Sequence, residues 1–113
     1  MRCFAVVTGM LLAVATVGAS PAVAAAGPEG LAIAQSNACL GCHAVDRKLV
    51  GPGFQQIAVK YKGDSTAQAK LEVKVRDGGA GVWGVIPMPA HPRMSAADIT
   101  TVVQWVLKGA PSQ

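Results

Sequence analysis

Residues 39–43 read Cys39-Leu40-Gly41-Cys42-His43, and the rest of the chain is best understood by working outward from this stretch. A two-residue spacer separates the thiols, and an imidazole directly follows the second thiol. Two thiols this close form a redox dithiol, half of a metal site, a short disulfide or the attachment site of a cofactor. These possibilities differ in what they require of the remaining residues.

The surrounding sequence favours attachment of a cofactor. A thioredoxin-like dithiol would follow a strand in a βαβ unit, and no such pattern is visible. A structural zinc site needs four ligands in two separated pairs, whereas His91 is the one further candidate. A disulfide across so short a loop would be strained. The motif therefore predicts covalent haem attachment, with Cys39 and Cys42 bonded to the vinyl groups and His43 placed to bind the iron.

The start of the chain differs chemically from the rest. Over all 113 residues 51% are apolar, yet residues 1–24 carry a single charge, Arg2. An apolar stretch from Phe4 to Val17 follows, and Ala22-Val23-Ala24 supplies the small residues of a cleavage site. These are the three regions of a secretory signal peptide. An uncleaved membrane anchor would need about twenty apolar residues.

We therefore expect residues 1–24 to be a signal peptide, cleaved after Ala24 or Ala26, and residues 27–113 to form the mature domain. Cleavage implies export, so the mature protein is expected in the bacterial periplasm without a permanent membrane anchor. Cys3 leaves with the signal peptide. The formal net charge of +4 includes no block of like charges, which argues against a nucleic-acid partner.

The second axial ligand of the iron decides the chemistry, because an open iron binds small molecules and a closed one transfers electrons. The candidates are Met88, Met94 and His91. Prolines on both sides of Met88 stiffen the segment Ile86-Pro87-Met88-Pro89, which suits a ligand loop. Met94 precedes Ser95, a predicted helix start, and is expected to be a packing residue. We predict Met88 as the ligand, with Met94 and a bis-histidine pairing through His91 as alternatives.

Helical periodicity and capping residues predict four short helices and no sheet. The first has a small face at Gly30 and Ala34, and the last follows a capping box formed by Ser95 and Asp98. The few aromatic residues leave a thin core that a planar cofactor would complete. Phe54 and Tyr61 are expected in that core. The predicted helices run from Pro28 to about Asn37, from Phe54 to Tyr61, from Ser65 or Thr66 to Gly78, and from Ser95 to Gly109.

Several segments together resemble the small bacterial class I cytochromes c of the c-551 (c8) type. They are Val50-Gly51-Pro52-Gly53-Phe54, residues 78–84, Ile86-Pro87-Met88-Pro89, Asp98-Ile99 and Trp105-Val106-Leu107. The resemblance covers essentially the whole mature chain. It implies an all-α class I cytochrome c fold, in which four short helices surround one covalently bound haem c.

The resemblance also implies roles for further residues. The carbonyl of Pro52 would accept a hydrogen bond from His43, and Trp83 and Arg47 look like donors to a haem propionate. On its residue type alone Trp83 also fits a half-buried core aromatic, and Arg47 a solvated cation. The chain departs from the family pattern at His91, where an asparagine often tunes the thioether, and at Ala34, where an aromatic residue often stands.

The predicted function is that of a soluble periplasmic monohaem electron carrier, and two alternatives remain open. The carrier would be a monomer and not an enzyme, and its iron would cycle between Fe(II) and Fe(III). A quinol-oxidising complex would be its donor and a terminal reductase or oxidase its acceptor. Lysines would steer docking to acidic partners. A dedicated haem subunit of a periplasmic oxidoreductase complex is one alternative, and an enzyme or sensor with an open iron is the other. The lysines are Lys48, Lys60, Lys62, Lys70 and Lys74.

Overall fold

A computed structural model of the chain describes residues 18–19 and 26–112. The predicted signal peptide, residues 1–24, lies outside the described residues except for Gly18 and Ala19, so this prediction and the position of its cleavage site stay untested. Among the described residues no helix is both long enough and apolar enough to cross a membrane.

Four α-helices make up the described domain. They are α1 (Ala26–Ser36), α2 (Phe54–Lys60), α3 (Ala67–Asp77) and α4 (Ala96–Leu107), and a 3-10 turn, Cys39–Gly41, follows α1. Within residues 26–112 the structure has no strand, and its two isolated bridges join His43 to Lys48 and Gly79 to Met88. The predicted all-α class with four short helices is confirmed, and the helix ends lie close to the predicted ones.

Side-chain hydrogen bonds lie at the start of α4 and just before α3. The Ser95 hydroxyl accepts a hydrogen bond from the Asp98 N–H at 3.0 Å, which is the serine half of the predicted capping box. Before α3, one oxygen of the Asp64 carboxylate accepts bonds from the Thr66 N–H at 2.8 Å and the Thr66 hydroxyl at 2.6 Å. α3 ends at Asp77, and the next residue, Gly78, has a φ of 69°, where glycine is favoured.

The core is organised around α4, against which α1, α2 and α3 all pack. Trp105 of α4 is fully buried, and its indole Nε1–H donates to the Pro111 carbonyl oxygen at 2.8 Å. α1 crosses α4 so closely that a Cβ atom on Gly30 would collide with Trp105. Ala34, one turn later, is fully buried. The small face predicted for the first helix is therefore its contact surface with α4.

Phe54, the first residue of α2, connects the hydrophobic core to the thiol motif. Its buried ring lies 5.2 Å from the Trp105 ring in an edge-on arrangement and 5.2 Å from the His43 ring in a nearly parallel one. Tyr61 is half-buried against the same cluster, so both aromatics expected in the core are found there. The core thus ends at the imidazole of the motif. Its buried members are Ala34, Phe54, Ile57, Ile99, Val102, Val103, Trp105, Val106 and Ala110.

Candidate haem site

The two thiols lie on a single turn that continues from the end of α1. The backbone turns sharply at Ala38, whose φ is 58°. The N–H groups of Cys42 and His43 then both donate to the Cys39 carbonyl oxygen, at 3.2 and 2.9 Å. Both cysteines are free thiols and half-buried. Burial, and to a smaller extent the charge of Cys42, raises the pKa of the Cys39 thiol above its usual value, which favours its protonated form.

The imidazole of His43 is held by a backbone carbonyl. Its Nδ1 lies 2.7 Å from the Pro52 oxygen. Because a carbonyl oxygen only accepts hydrogen bonds, Nδ1 carries a proton and donates it, which leaves Nε2 as the ring nitrogen that can bind a metal. The ring also stacks on Phe54. A half-buried imidazole with one nitrogen bonded to the backbone is the arrangement of a metal-binding histidine.

The segment after the motif folds back onto the imidazole. The Gly51 N–H donates to the Cys42 carbonyl oxygen at 2.8 Å, and the Phe54 N–H donates to that of Ala44 at 2.9 Å. A Cβ atom on Gly51 would lie 2.6 Å from Cε1 of His43, closer than any side chain could approach. Glycine at this position therefore lets the backbone close over one edge of the ring.

Met88 is held by its backbone against the end of α3. Its N–H donates to the Gly79 carbonyl oxygen at 3.0 Å, and its carbonyl accepts from the Gly79 N–H at 2.9 Å. A Cβ atom on Gly78 would collide with the Met88 carbonyl oxygen. Met88 itself is half-buried. The predicted ligand loop is thus fixed at Met88 by two hydrogen bonds and one close approach.

The two alternatives to Met88 have contacts of their own. The His91 N–H donates to the carbonyl oxygens of Val75 and Arg76 at 3.2 Å, and its ring Nδ1 lies 3.3 Å from the Val75 oxygen. The imidazole therefore faces the end of α3. Met94 packs against the helical core, as expected of a packing residue.

The two residues predicted to bind a propionate differ in their surroundings. Trp83 is 42% exposed and lines a cleft of about 480 Å³ together with Asp46. Arg47 donates from Nη1 to the Asp46 carboxylate at 3.0 Å, and both of these side chains are exposed. Trp83 thus lies on the same side of the molecule as the Arg47–Asp46 pair.

Two lysines near the site were assigned to general steering by sequence reasoning. The Nζ of Lys60 lies 5.3 Å from the centre of the Trp83 ring, a cation–π contact. The Nζ of Lys74 lies 3.4 Å from where a Cβ atom on Gly79 would stand. No sequence signal could have identified either contact, because each joins a helix to a glycine-rich segment that has no periodicity.

The residues present fit a haem better than a bare metal ion. Within the part of the chain that the structure describes, no group of three or more His, Cys, Asp or Glu side chains could hold a metal ion. Two thiols and an imidazole on one turn are instead the donor set of a covalently attached haem. Large apolar side chains are also exposed in the segment directly after the motif and in the segment before Met88, and such exposure marks a surface for an apolar ligand. They include Leu49, Val50, Val82, Val85 and Ile86.

Comparison with known proteins points the same way. Residues 28–110 match the sequence profile of the family described as Cytochrome c. Cytochrome c-551 of Allochromatium vinosum is 46% identical over 77 residues, which cover 68% of this chain and 82% of that protein. Cytochrome c-551 of Pseudomonas aeruginosa is 40% identical over 73 residues, which cover 65% of this chain and 69% of that protein.

The fold agrees with solved structures as well. The crystal structure of wild-type Nitrosomonas europaea cytochrome c552 superposes with a TM-score of 0.68 at 39% identity, covering 70% of this chain and 98% of that one. The class 1 cytochrome MtoD of Sideroxydans lithotrophicus superposes with a TM-score of 0.64 at 28% identity, covering 74% of this chain and 95% of that one.

Proposed function

This chain belongs to the cytochrome c family, and from that premise we propose that it is a periplasmic electron carrier with His43 and Met88 as the axial ligands of its iron. Family membership gives the coarser statement directly: a covalently attached haem c at Cys39 and Cys42, and electron transfer as the activity. When bound, the haem supplies a one-electron Fe(II)/Fe(III) couple.

The observation that carries the proposal is the 2.7 Å contact between Nδ1 of His43 and the Pro52 oxygen. It fixes the tautomer, so that Nε2 is the nitrogen free to bind iron. A donated Nδ1–H also makes the imidazole a more basic ligand. Stacking on the buried Phe54 ring restricts rotation of the imidazole. We assign Pro52 to the site as the acceptor that orients His43.

On the other side, Met88 would close the second axial position. Its thioether is a weak ligand, so the loop that presents it has to be ordered beforehand. The paired hydrogen bonds with Gly79 and the flanking prolines, Pro87 and Pro89, supply that order. Histidine–methionine ligation excludes exogenous ligands and raises the reduction potential, which suits a carrier and not an oxygen-activating enzyme.

We further propose that Trp83 and Arg47 bind the haem propionates. The Trp83 indole lines the open cleft beside Asp46. Arg47 has five N–H donors, and its observed bond to Asp46 uses Nη1 alone. Both donors would keep the propionate charges bonded to the protein at the edge of the site.

For the cellular role, we propose a free monomer in the periplasm after removal of residues 1–24. Its electrons would come from a quinol-oxidising complex and pass to a terminal reductase or oxidase. The signal-peptide pattern supports the location. A carrier needs a one-electron partner on each side, and a donor and acceptor of these two classes would meet that need.

Optical spectroscopy of the mature protein and its variants tests the assignment of Met88. The oxidised protein should show the weak near-red absorption of a sulfur-bound ferric haem, Met88→Ala should lose it, and Met94→Ala should keep it. The reduced wild-type protein should not bind carbon monoxide readily. Persistence of the band in Met88→Ala would instead assign the ligand to Met94 or to another residue.

Mass spectrometry of the denatured protein from a periplasmic extract tests attachment and export together. The expected mass is that of one haem plus a chain beginning at Ala25 or Gly27. A chain without haem would overturn the proposal for the site, and a chain that retains residues 1–24 would overturn the proposal for export.

A further inference from the structure

Lys60 and Trp83 form a contact between the end of α2 and the segment before Met88. Lys60 is the last residue of α2, and its Nζ lies 5.3 Å from the centre of the Trp83 ring. α2 itself packs against α4. The contact therefore links a helix anchored in the core to the glycine-rich segment of residues 78–84.

That segment holds the backbone of Trp83 but not its side chain. The Gly81 N–H donates to the Gly84 carbonyl oxygen at 2.8 Å, and Gly79, Gly81 and Gly84 adopt the positive φ of this turn, so the hydrogen bond fixes the backbone and leaves the indole torsions unrestricted. The neighbours in sequence give little packing, since Val82 is 47% exposed and Val85 is 92% exposed. A side chain from outside the segment is needed to restrict the ring.

Lys60 is suited to this task by its charge as well as its position. A cation over an aromatic face is attracted by about 0.5 to 1 kcal/mol at an exposed site. The same cation draws electron density from the indole, which makes the Nε1–H a stronger donor. Restriction and polarisation would both strengthen a hydrogen bond from Trp83 to an anion in the cleft.

We infer that Lys60 is a positioning residue for Trp83, holding its indole so that the Nε1–H stays bonded to a haem propionate. The inference rests on the proposed function, because it takes Trp83 as a propionate donor. It gives Lys60 a local role at the site in addition to the charge that it shares with the other surface lysines. Lys62, two residues further along the chain and also exposed, serves as the matched comparison.

Hydrogen exchange of the two indole N–H groups in the reduced, haem-containing protein tests this inference. Lys60→Met should speed exchange of the Trp83 Nε1–H about two- to fivefold, the change that corresponds to losing one exposed cation–π contact. The Trp105 Nε1–H, bonded to the Pro111 oxygen, is an internal reference and should not change. Lys60→Arg should restore the slow rate, since guanidinium also binds aromatic faces.

The direction of the change in the Trp83 exchange rate distinguishes a positioning role of Lys60 from an effect of its charge on the exchange chemistry. Removing a nearby positive charge lowers the local hydroxide concentration and would slow base-catalysed exchange, whereas releasing the indole speeds it. Lys62→Met should leave the Trp83 rate unchanged. An unchanged or slower Trp83 rate in Lys60→Met, or equal acceleration in Lys62→Met, would overturn the inference. Failure of the proposed propionate bond is separate, because the Trp83 Nε1–H would then already exchange rapidly in the wild-type protein.

Discussion

On the His43 side of the site, residues 39–54, the functional imidazole stacks on a buried ring and bonds to a buried backbone segment. On the Met88 side, residues 78–94, the proposed ligand is held by a two-bond bridge to Gly79, and the residues around it are mostly exposed. Pro52, Gly53 and Phe54 are all buried, whereas residues 79–87 are all exposed. The first side belongs to the helical core, and the second lies against its surface.

This difference predicts that substitutions on the two sides have different effects on stability and on ligation. Moving His43 requires displacement of Phe54, which contacts Trp105 in the middle of the core. Releasing Met88 requires only that a surface segment leave the end of α3. Damage to the His43 side should therefore appear as lost stability of the whole domain, and damage to the Met88 side as lost ligation in a domain that stays folded.

The largest expected effect is that of Gly78→Ala, on the Met88 side. Gly78 has φ 69° and ψ −153°, a region nearly exclusive to glycine, and a Cβ atom there would collide with the Met88 carbonyl oxygen. Strain and collision together should disfavour the native loop by at least about 2 kcal/mol. We expect the near-red band of the oxidised protein to be lost while far-ultraviolet circular dichroism stays at the wild-type level.

Gly63→Ala is the control for the strain alone. Gly63 also has a positive φ, 81°, but a Cβ atom there would meet nothing within 4 Å. This variant should keep the near-red band. If Gly78→Ala keeps the band as well, the Met88 side is held by more than the bridge to Gly79. If it loses helical signal together with the band, the two sides are not independent.

Gly51→Ala tests the His43 side and should have a somewhat smaller effect. The added Cβ atom would lie 2.6 Å from Cε1 of His43, and the ring cannot turn away without losing Pro52 or Phe54. Overpacking of this kind costs about 1 to 3 kcal/mol. We expect that loss in the free energy of unfolding, measured in denaturant, with the near-red band retained below the transition.

Gly41→Ala is the matched control, because a Cβ atom on Gly41 would meet nothing within 4 Å. Its free energy of unfolding should stay near the wild-type value. A Gly51→Ala protein of wild-type stability that had lost the band would reverse the assignment of the two sides.

The same contrast explains what could be predicted from sequence. The thiols and His43 could be predicted because they lie on one local turn. α4 could be predicted because the helical spacing of its apolar residues and the Ser95 cap are local as well. The bond from His91 to Val75 spans 16 residues and belongs to tertiary structure. Sequence reasoning therefore considered His91 as an alternative ligand and as a departure from the family's asparagine, and could not predict that its ring faces the end of α3.

The contacts of the cationic residues were equally hidden. Arg47 was predicted as a propionate donor from family resemblance, and its partner in the structure is the adjacent Asp46. Lys60 was one of five lysines with no distinguishing pattern, because a cation–π contact between a helix end and a glycine-rich segment depends on how the chain closes. Charge composition indicates that such cations exist but does not indicate which ring they face.

The smallest expected effect concerns the start of α3, the helix whose far end carries Gly78. The Asp64 carboxylate accepts hydrogen bonds from the Thr66 hydroxyl and N–H and from Lys70, and together these lower its pKa from 3.8 to about 2. Because the folded pKa is below the unfolded one, Asp64 stabilises the fold above pH 4, and this contribution is lost as the pH falls toward 2. Asp64→Asn should therefore show a shallower loss of stability than wild type between pH 4 and 2, measured by denaturant unfolding of the oxidised protein.

Thr66→Ala, which removes the hydroxyl donor nearest to Asp64, should give a slope between those of wild type and Asp64→Asn. Neither variant should alter the near-red band at neutral pH, because the bridge between Gly79 and Met88 begins beyond the other end of α3. A weaker band in Asp64→Asn would show that stability at the start of α3 is transmitted along the helix to Met88. In that case the Met88 side would depend on the helical core more closely than its exposed surface suggests.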